Sequence, residues 1–397
     1  MPPTTSKPTR YVQLLALSLV VLLLLLPALQ ALWPLVPVQP LGGVTNATPK
    51  PVFSWTKLWN TSYQSDVEAY FTEQLGFRPW FIRVRNQLAY SLFDKGLTDG
   101  VILGKDQNLY QHNSIWAYLG GAYQGEGELA KRAQQLRQVQ DTLRAHGTQL
   151  LFVLAPGKPR IVPQYLPDEY ARQQPGISNY VTVSQQFAKY GVNTLDAAAL
   201  FGRWQAARPP YPLFTRTGTH WSGYATTRLA DTLFHRIEAL TGRDLPDFST
   251  QGPPTVVTRA ADLRYSDKDL EDLLNLVAPI PPYPTAYPNV VFGPAQGKQR
   301  LNALIIGDSF TQSFYTFYPY FDRLLTPDSR FWYYNRTVYW PTQTPPTENR
   351  DVSKLNLAEQ LRGRQLVLLL AMEGNLTDTG FGFINQAYNA LCTPKPQ

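Results

Sequence analysis

The sequence predicts an α/β fold, a parallel sheet with helices on both faces, preceded by one transmembrane helix. Three observations predict this fold. Residues 11–33 form a leucine-rich stretch without a charged side chain. Several later segments are almost continuously apolar, which is the pattern of strands buried on both faces. Amphipathic helical patterns separate these segments, and strands that alternate with helices form parallel sheets covered on both sides.

The N-terminus predicts a cytoplasmic tail over residues 1–10 and a membrane anchor over 11–33. The anchor has 23 residues, which exceeds the roughly 20 that a helix needs to span a bilayer. Lys7 and Arg10 precede it, so the positive-inside rule places the remaining chain outside the cytoplasm. A cleaved signal peptide is the alternative, against which the long apolar run and the lack of a clean small-x-small motif weigh. We expect a single-pass inner-membrane protein with a periplasmic globular part.

Residues 34–56 are rich in proline, which predicts a linker that holds the globular part away from the membrane. The remaining residues, 57–397, are predicted to form one globular domain. This domain begins with a helical pattern over 57–95, where apolar side chains recur at helical spacing past Pro79. A short strand over 100–104 follows, with turn residues at both of its ends.

An alternation of strands and helices occupies the middle of the chain. Glycines directly after the helical patterns predict where these helices end. The predicted order is a helix over 126–146, a strand over 150–155, a helix over 178–190, a strand over 192–195 and a helix over 223–240.

The last third of the chain begins with a Pro-rich segment, 245–300, which predicts an irregular excursion from the sheet that lines a substrate groove. A short helix is expected within it, around 267–276. The sheet then resumes, with a strand over 303–307, a helix over 311–325, a strand over 331–334 and a strand over 365–371.

Composition excludes several classes of site. The chain has one cysteine, Cys392, so neither an intrachain disulfide nor a cysteine zinc cluster can form. The net charge of +7 comes without a block of Lys or Arg, which argues against a nucleic-acid partner. The 23 Tyr, 19 Phe and 9 Trp residues suit a core and also suit stacking on sugar rings. No metal site and no cofactor are expected.

Ser309 is the strongest candidate for a catalytic residue. It follows the apolar run 303–307 in the string Gly307-Asp308-Ser309-Phe310. A serine between a strand and a helix lies at the helix N-terminus, where backbone N–H groups stabilise a developing oxyanion. Gly307 relieves crowding at this turn. The alternative is that Ser309 only caps the following helix.

His220 is the candidate general base. It lies in the string Thr217-Gly218-Thr219-His220-Trp221. Trp221 is expected to hold the imidazole by packing or to bind substrate. Ser222 is expected to cap the next helix, so His220 would lie on the loop before it. The other three histidines have no comparable context and are interpreted as structural or surface residues.

Other polar residues follow predicted strands, and in doubly wound sheets binding sites form at the carboxyl ends of strands. Lys158 follows the strand at 150–155 and is predicted to bind substrate. Asp196 and Glu373 follow two further strands and are candidates for an acid beside His220. The carboxylates between 267 and 272 are spaced like a solvated helix face rather than a metal site.

Several motifs together resemble the alginate O-acetyltransferase family of SGNH-hydrolase-like enzymes. They are Gly307-Asp308-Ser309-Phe310, the upstream His220-Trp221, residues 101–110, Pro156-Gly157-Lys158 with Tyr165-Leu166-Pro167, and the short acidic helix over 264–276. The histidine block precedes the serine block, which matches the permuted order of this family. The resemblance covers most of the exported part and implies an SGNH-hydrolase-like, flavodoxin-like sheet.

The resemblance implies that the chain transfers acetyl groups to hydroxyls of an exopolysaccharide on the periplasmic side. Ser309 would form an acetyl-enzyme and His220 would transfer the proton. A separate membrane-bound O-acyltransferase would pass the acetyl group to this protein. The family pattern also implies that Tyr315 and Arg336 line the site.

One position departs from the family pattern. The family has Asp-x-His-Trp, whereas this chain has Gly218-Thr219-His220-Trp221. Another acid, from Glu373, Asp196 or Asp308, could replace the missing aspartate, with Glu373 preferred. Alternatively, a Ser–His dyad acts slowly without an acid, or the site is inactive.

These observations predict an exported, membrane-anchored O-acetyltransferase or esterase that acts on a cell-surface polysaccharide. The alternative is a catalytically impaired subunit with the same fold that binds polysaccharide or a secretion or acetylation partner. A peptidoglycan-modifying enzyme is a third hypothesis.

Overall fold

The structure is a computed structural model that describes residues 7–43, 48–264, 266–341 and 350–393. Residues 1–6 of the predicted tail, 44–47 of the predicted linker and the last four residues therefore lie outside the described residues. Within these ranges the α-helices are Lys7–Leu32 (α1), Trp55–Trp59 (α2), Ser62–Gln74 (α3), Arg78–Phe93 (α4), His112–Tyr118 (α5), Glu126–Ala145 (α6), Lys158–Ile161 (α7), Asp168–Ala171 (α8), Asn179–Tyr190 (α9), Ala197–Ala206 (α10), Gly223–Thr241 (α11), Asp269–Leu274 (α12), Ser313–Thr316 (α13), Tyr320–Leu324 (α14), Leu357–Leu361 (α15) and Phe383–Leu391 (α16).

The described strands follow the predicted pattern in the main sheet and add several that the sequence did not suggest. They are Val101–Leu103 (β1), Leu109–Gln111 (β2), Gln149–Ala155 (β3), Thr194–Asp196 (β4), Phe248–Thr250 (β5), Thr255–Val257 (β6), Thr285–Tyr287 (β7), Val290–Phe292 (β8), Ala303–Gly307 (β9), Arg330–Tyr333 (β10), Thr337–Trp340 (β11) and Leu366–Met372 (β12).

The described residues group into two compact units. The N-terminal unit contains residues 7–98 with 272–279, and the sheet unit contains 99–271 with 280–393. The boundaries predicted from sequence, at 33/34 and 56/57, stay predictions.

The N-terminal unit contains helices α1 to α4. In α1, residues Arg10–Leu32 are long and apolar enough to cross a membrane, with a mean hydropathy of 2.7. This makes the helix a candidate for a membrane anchor or a signal sequence. The helical pattern predicted over 57–95 is divided among α2, α3 and α4. Pro79 lies in the first turn of α4, where proline is tolerated because its missing N–H would have no intrahelical partner.

The sheet unit is built around a six-stranded sheet with the order β11-β10-β9-β12-β3-β4. The five strands from β10 to β4 are parallel, as predicted. The edge strand β11 is antiparallel to β10, so the predicted α/β sheet is confirmed but is mixed rather than clearly flavodoxin-like. The physical reason is the tight loop between them, in which Tyr334 and Asn335 both have left-handed backbone conformations. Such a short loop joins only antiparallel neighbours.

Apolar side chains cover both faces of this sheet, as predicted. Alternate residues of β3 contribute to different cores because side chains alternate across a strand. Leu151 and Val153 pack with Leu229 and Leu233 of α11 on one face. The opposite face carries a second core, formed by side chains of β3, α6, α9 and α16.

Two further predictions need correction. The segment 245–300 contains more regular structure than predicted, because β5 pairs with β8 and β6 pairs with β7 in small antiparallel sheets. The helix predicted over 311–325 is broken into a 3₁₀ turn over Ser309–Gln312 and the short helices α13 and α14. Pro319 separates the two helices, since proline lacks an N–H and disfavours helical backbone at the residue before it.

Candidate active site

Ser309 lies two residues after the end of β9. In the sheet, β9 lies between β10 and β12. Gly307 makes the turn possible, because a Cβ atom there would lie 2.2 Å from the Thr311 Oγ1 atom and 3.0 Å from the Leu370 carbonyl oxygen. Real Cβ contacts are not that short, so any other residue would force the turn open. The predicted role of Gly307 is thus explained by close approach of the chain to itself.

Asp308 fixes this turn from inside. Its buried carboxylate accepts hydrogen bonds from the backbone N–H groups of Phe310 and Met372 and from the side-chain amide of Asn375, at 3.1, 2.7 and 2.8 Å. Burial raises the pKa of Asp308, and these hydrogen bonds oppose that shift. Asp308 is therefore a structural member of the turn and not the acid of the site.

His220 contacts Ser309 directly. The distance from its Nε2 atom to the Ser309 Oγ atom is 2.8 Å. The imidazole packs against the Phe310 ring, with 4.7 Å between ring centroids, and the residue is only 8% exposed. Ser222 accepts a hydrogen bond from the Ala225 N–H and caps α11, so His220 lies on the loop before that helix as the sequence predicted.

Asp269 presents its carboxylate to the other ring nitrogen of His220. Its Oδ2 atom lies 2.7 Å from the His220 Nδ1 atom. Its Oδ1 atom accepts hydrogen bonds from the backbone N–H groups of Thr219 and Leu270, at 2.8 and 3.0 Å. The interpretation of residue 269 as part of a solvated face is wrong. Forty-nine residues separate the two side chains, and the only sequence signal was an acidic cluster between the histidine and serine blocks.

Gly218 is required by the packing of the loop. A Cβ atom at this position would lie 2.6 Å from the Thr215 Oγ1 atom and 2.7 Å from the Ser266 carbonyl oxygen. An aspartate therefore does not fit where the family pattern has one, and the acid reaches the histidine from a different segment.

We expect Gly218→Asp to destabilise the protein rather than to add a second acid. Overpacking of a buried position typically costs about 1–3 kcal/mol. Thermal unfolding of this variant should show a lower midpoint, with Gly202→Asp as the matched control, because a Cβ atom at 202 meets no atom within 4 Å. An unchanged midpoint for Gly218→Asp would contradict the steric argument.

Glu373 and Asp196, the two acids predicted to lie beside His220, are paired with other residues, so this prediction is wrong. Glu373, which is 2% exposed, forms a bidentate ion pair with Arg160. Asp196 caps α10 through the Ala199 N–H and accepts a hydrogen bond from the Tyr180 hydroxyl. Both carboxylates already have strong partners that hold the strand ends together.

Lys158 does not bind substrate, because it is only 1% exposed. Its Nζ atom donates to the carbonyl oxygens of Leu109, Thr215, Arg216 and Gly218, at 2.8, 2.7, 2.7 and 3.2 Å. Burial lowers the pKa of Lys158 to about 7. The hydrogen bonds of Lys158 to Thr215, Arg216 and Gly218 hold the loop that ends in His220.

Replacing Lys158 with methionine should lower the free energy of unfolding by about 3 kcal/mol, because the hydrogen bonds of its ammonium group to backbone carbonyl oxygens would be lost. Chemical denaturation measures this loss, with Lys189→Met, an exposed lysine, as the control. A loss below about 1 kcal/mol would show that the loop does not depend on the ammonium group.

Trp221 is a core residue and does not contact substrate. It is fully buried, its Nε1 atom donates to the Ser313 Oγ atom at 2.6 Å, and its ring packs edge-on against Phe310. It supports the histidine indirectly, since Phe310 lies between the two rings. The prediction that Trp221 binds substrate is wrong.

Two further candidates have contacts that leave their predicted roles untested. The Tyr315 ring packs against Phe321 and Phe331. Arg336 is exposed in the loop between β10 and β11, where its N–H donates to the Tyr333 carbonyl oxygen. Their functions at the site stay predictions.

Tyr334 lies beside Ser309 and Asn375 lies beside Asp308, and neither residue was predicted from the sequence. Burial raises the pKa of the Tyr334 phenol, and its hydroxyl interacts with the side chains of Asn375 and Ser309. The left-handed conformation of Tyr334 follows from the tight loop, and no motif in the sequence marks either residue. They place a hydroxyl next to the candidate nucleophile and an amide on the carboxylate that precedes it.

Ser309, His220 and Asp269 form a continuous hydrogen-bonded chain. In such a chain the carboxylate holds the imidazole so that Nε2 can accept the serine proton, which prepares the hydroxyl for attack on an acyl carbon. No group of three or more His, Cys, Asp or Glu side chains that could hold a metal ion occurs in the described ranges.

Comparison with known proteins gives a family match and several relatives. Residues 101–328 match the model of the SGNH hydrolase-like domain of the acetyltransferase AlgX. A probable alginate O-acetylase AlgJ of Pseudomonas syringae is 31% identical over 172 residues, which cover 42% of this chain and 39% of the relative. The corresponding protein of Pseudomonas aeruginosa is 25% identical over 221 residues, which cover 56% of this chain and 52% of the relative. The matched region thus spans about two fifths to one half of the length of these relatives.

Solved structures give a more distant likeness. The O-acetyltransferase domain of Pseudomonas putida AlgJ matches with a TM-score of 0.45 and 20% identity, over 73% of this chain and 99% of that domain. Pseudomonas aeruginosa AlgX matches with a TM-score of 0.47 and 12% identity, over 76% of this chain and 71% of that protein.

Proposed function

The chain belongs to the family of the SGNH hydrolase-like domain of the acetyltransferase AlgX, and from this premise we propose that it is an O-acetyltransferase that modifies hydroxyls of a polysaccharide. The hydrogen-bonded chain from Ser309 through His220 to Asp269 is the observation that carries the proposal. We therefore assign the catalytic roles to Ser309, His220 and Asp269.

The geometry supports a two-step transfer. In the first step the Ser309 Oγ atom attacks the acetyl carbonyl carbon while His220 Nε2 takes its proton. The donor's bond to the acetyl group then breaks, and the leaving group receives that proton from His220. In the second step a sugar hydroxyl attacks the acetyl-serine, His220 takes the proton of the hydroxyl, and Ser309 leaves and regains a proton. Asp269 stabilises the imidazolium that forms in each step.

The negative charge on the tetrahedral intermediate needs hydrogen-bond donors close to the serine. The backbone N–H of Ser309 lies at the start of a 3₁₀ turn. The Tyr334 hydroxyl interacts with the serine side chain. We assign these groups to the oxyanion site.

The relatives named alginate O-acetylases support a polysaccharide as acceptor. The apolar helix α1 supports an anchor in the inner membrane with the sheet unit in the periplasm, and the anchor would keep the enzyme near a membrane-bound acetyl donor. A membrane-bound O-acyltransferase is our proposed donor partner.

The alternative of a catalytically impaired binding subunit rested on the missing aspartate at position 218. Asp269 removes this reason, because it makes the same contact from another segment. The enzyme hypothesis is therefore favoured.

The test is to incubate the exported part of the chain with para-nitrophenyl acetate, with and without an acceptor polysaccharide. We expect a burst of nitrophenol and an acetyl group on the peptide that contains Ser309, detected by mass spectrometry. Adding acceptor should move the label to the polysaccharide. Burst kinetics without a labelled peptide would contradict the acetyl-enzyme, and labelling without transfer to any polyol would indicate an esterase.

A further inference from the structure

A cavity of about 510 Å³ lies in the sheet unit among α10, α11 and β5. None of the residues of the candidate active site line it. Three half-buried aromatic side chains form part of its wall: Trp204 of α10, Tyr211 of the following loop and Tyr224 of α11. Tyr211 and Tyr224 pack edge-on, with 5.5 Å between ring centroids. Aromatic side chains in a cavity wall suit apolar contact with a ligand.

Arg228 adds a positive charge to this aromatic wall. It lies one helical turn after Tyr224, and its guanidinium group lies over the Trp204 ring, 4.3 Å from the centroid. No carboxylate in the described ranges forms an ion pair with it. Stacking holds the guanidinium in place while its N–H groups stay available, which suits bidentate recognition of a carboxylate on a ligand.

Another part of the wall carries hydroxyl groups, beside the apolar Phe248, Pro254 and Pro288. Thr232 comes from α11, and Ser249 and Thr250 come from β5 and are exposed. Asp231 also lines the cavity, 3.6 Å from His235, and it can accept hydrogen bonds from ligand hydroxyls. A ligand with one carboxylate, several hydroxyls and an apolar ring face matches this set of groups.

We propose that this cavity binds an acidic sugar residue of the polysaccharide acceptor, remote from the acetylated residue. The inference rests on the proposed function, because it names a subsite for the same polymer. The helix α11 begins three residues after His220 and carries Arg228 roughly 8 Å further along its axis. One helix thus connects the catalytic loop with the second site, so a sugar held here would limit which residue of the polymer reaches Ser309.

The test measures binding of an alginate tetrasaccharide, an acidic probe, and of cellotetraose, its neutral counterpart. Calorimetry on Ser309→Ala protein avoids turnover. We expect the acidic probe to bind, and its affinity to fall about tenfold in Arg228→Met, the order of one charge-assisted hydrogen bond in a partly solvated site. Trp204→Ala should lose at least as much. Arg236→Met removes the same charge from an exposed position of the same helix and should bind normally.

Ser249→Trp provides a second variant, because it fills the cavity from an exposed rim and does not disturb the core. It should weaken binding of the acidic probe as well. Equal affinity of wild type for cellotetraose, unchanged affinity in Arg228→Met and Ser249→Trp, or no binding of the acidic probe would overturn the subsite. Acetyl-enzyme formation from para-nitrophenyl acetate is measured separately on protein with Ser309, so failure of the proposed function is distinguished from failure of the subsite.

Discussion

Replacing Ser309 with alanine is expected to abolish the acetyl-enzyme and to lower acetyl transfer by about 10⁴-fold or more. This decrease in rate follows from the loss of the nucleophile. A Ser–His–Asp chain without its serine retains only the rate acceleration that comes from the oxyanion site and from substrate binding. Burst amplitude with para-nitrophenyl acetate and the mass of the Ser309 peptide measure the effect.

The matched control is Ser353→Ala, which removes an exposed hydroxyl whose hydrogen bond is to Asp351. It should keep the full burst. Little structural damage is expected in Ser309→Ala, because the turn is held by Gly307 and by the hydrogen bonds of Asp308 rather than by the serine hydroxyl. A burst that survives in Ser309→Ala would mean that another residue carries the acetyl group.

The sheet and the serine turn were predictable because their signals are local. A run of apolar residues predicts a buried strand, and the glycine after a helical pattern predicts its end, as Gly191 and Gly242 show with their left-handed conformations. The antiparallel edge strand was not predictable by the same means. Its loop uses Tyr334 and Asn335 in left-handed conformations instead of the Asn-Gly or Gly-Gly pairs that identify tight turns in sequences.

Some polar residues of the site also have a local sequence signal, whereas others do not. Ser309 and His220 each stand in a string that suggests its chemistry, and the structure brings them into contact. Position along the chain does not show whether a side chain is buried. Lys158 follows a strand, which predicts a substrate ligand, but its Nζ atom donates hydrogen bonds to backbone carbonyl oxygens instead. The role of Glu373 is not predictable from its position either, because its partner Arg160 lies more than two hundred residues away in sequence.

Replacing Asp269 with asparagine should lower the turnover number by about 10³–10⁴-fold and leave the affinity for substrate nearly unchanged. Asparagine preserves shape but brings an N–H₂ group. In the wild-type protein the backbone N–H groups of Thr219 and Leu270 donate to the Asp269 Oδ1 atom. In the variant the same N–H groups would donate to the asparagine oxygen. The amide nitrogen must then face His220 Nδ1 and donate to it.

This arrangement selects the wrong tautomer of the imidazole. When Nδ1 accepts a hydrogen bond, the proton resides on Nε2, and Nε2 can no longer accept the proton of Ser309. The expected loss has the size known for the same change in serine proteases. Steady-state kinetics with a soluble acetyl donor separate the turnover number from KM.

Two controls make this prediction specific to residue 269. Asp272→Asn removes a charge from an exposed position of the same helix and should reduce turnover less than twofold. Glu373→Gln tests the acid predicted from sequence. It disturbs the ion pair with Arg160 and should lower stability more than turnover of the folded enzyme. A Glu373→Gln enzyme that is folded but inactive, together with an active Asp269→Asn enzyme, would require His220 to change partners during the reaction and would refute the assignment of the acid.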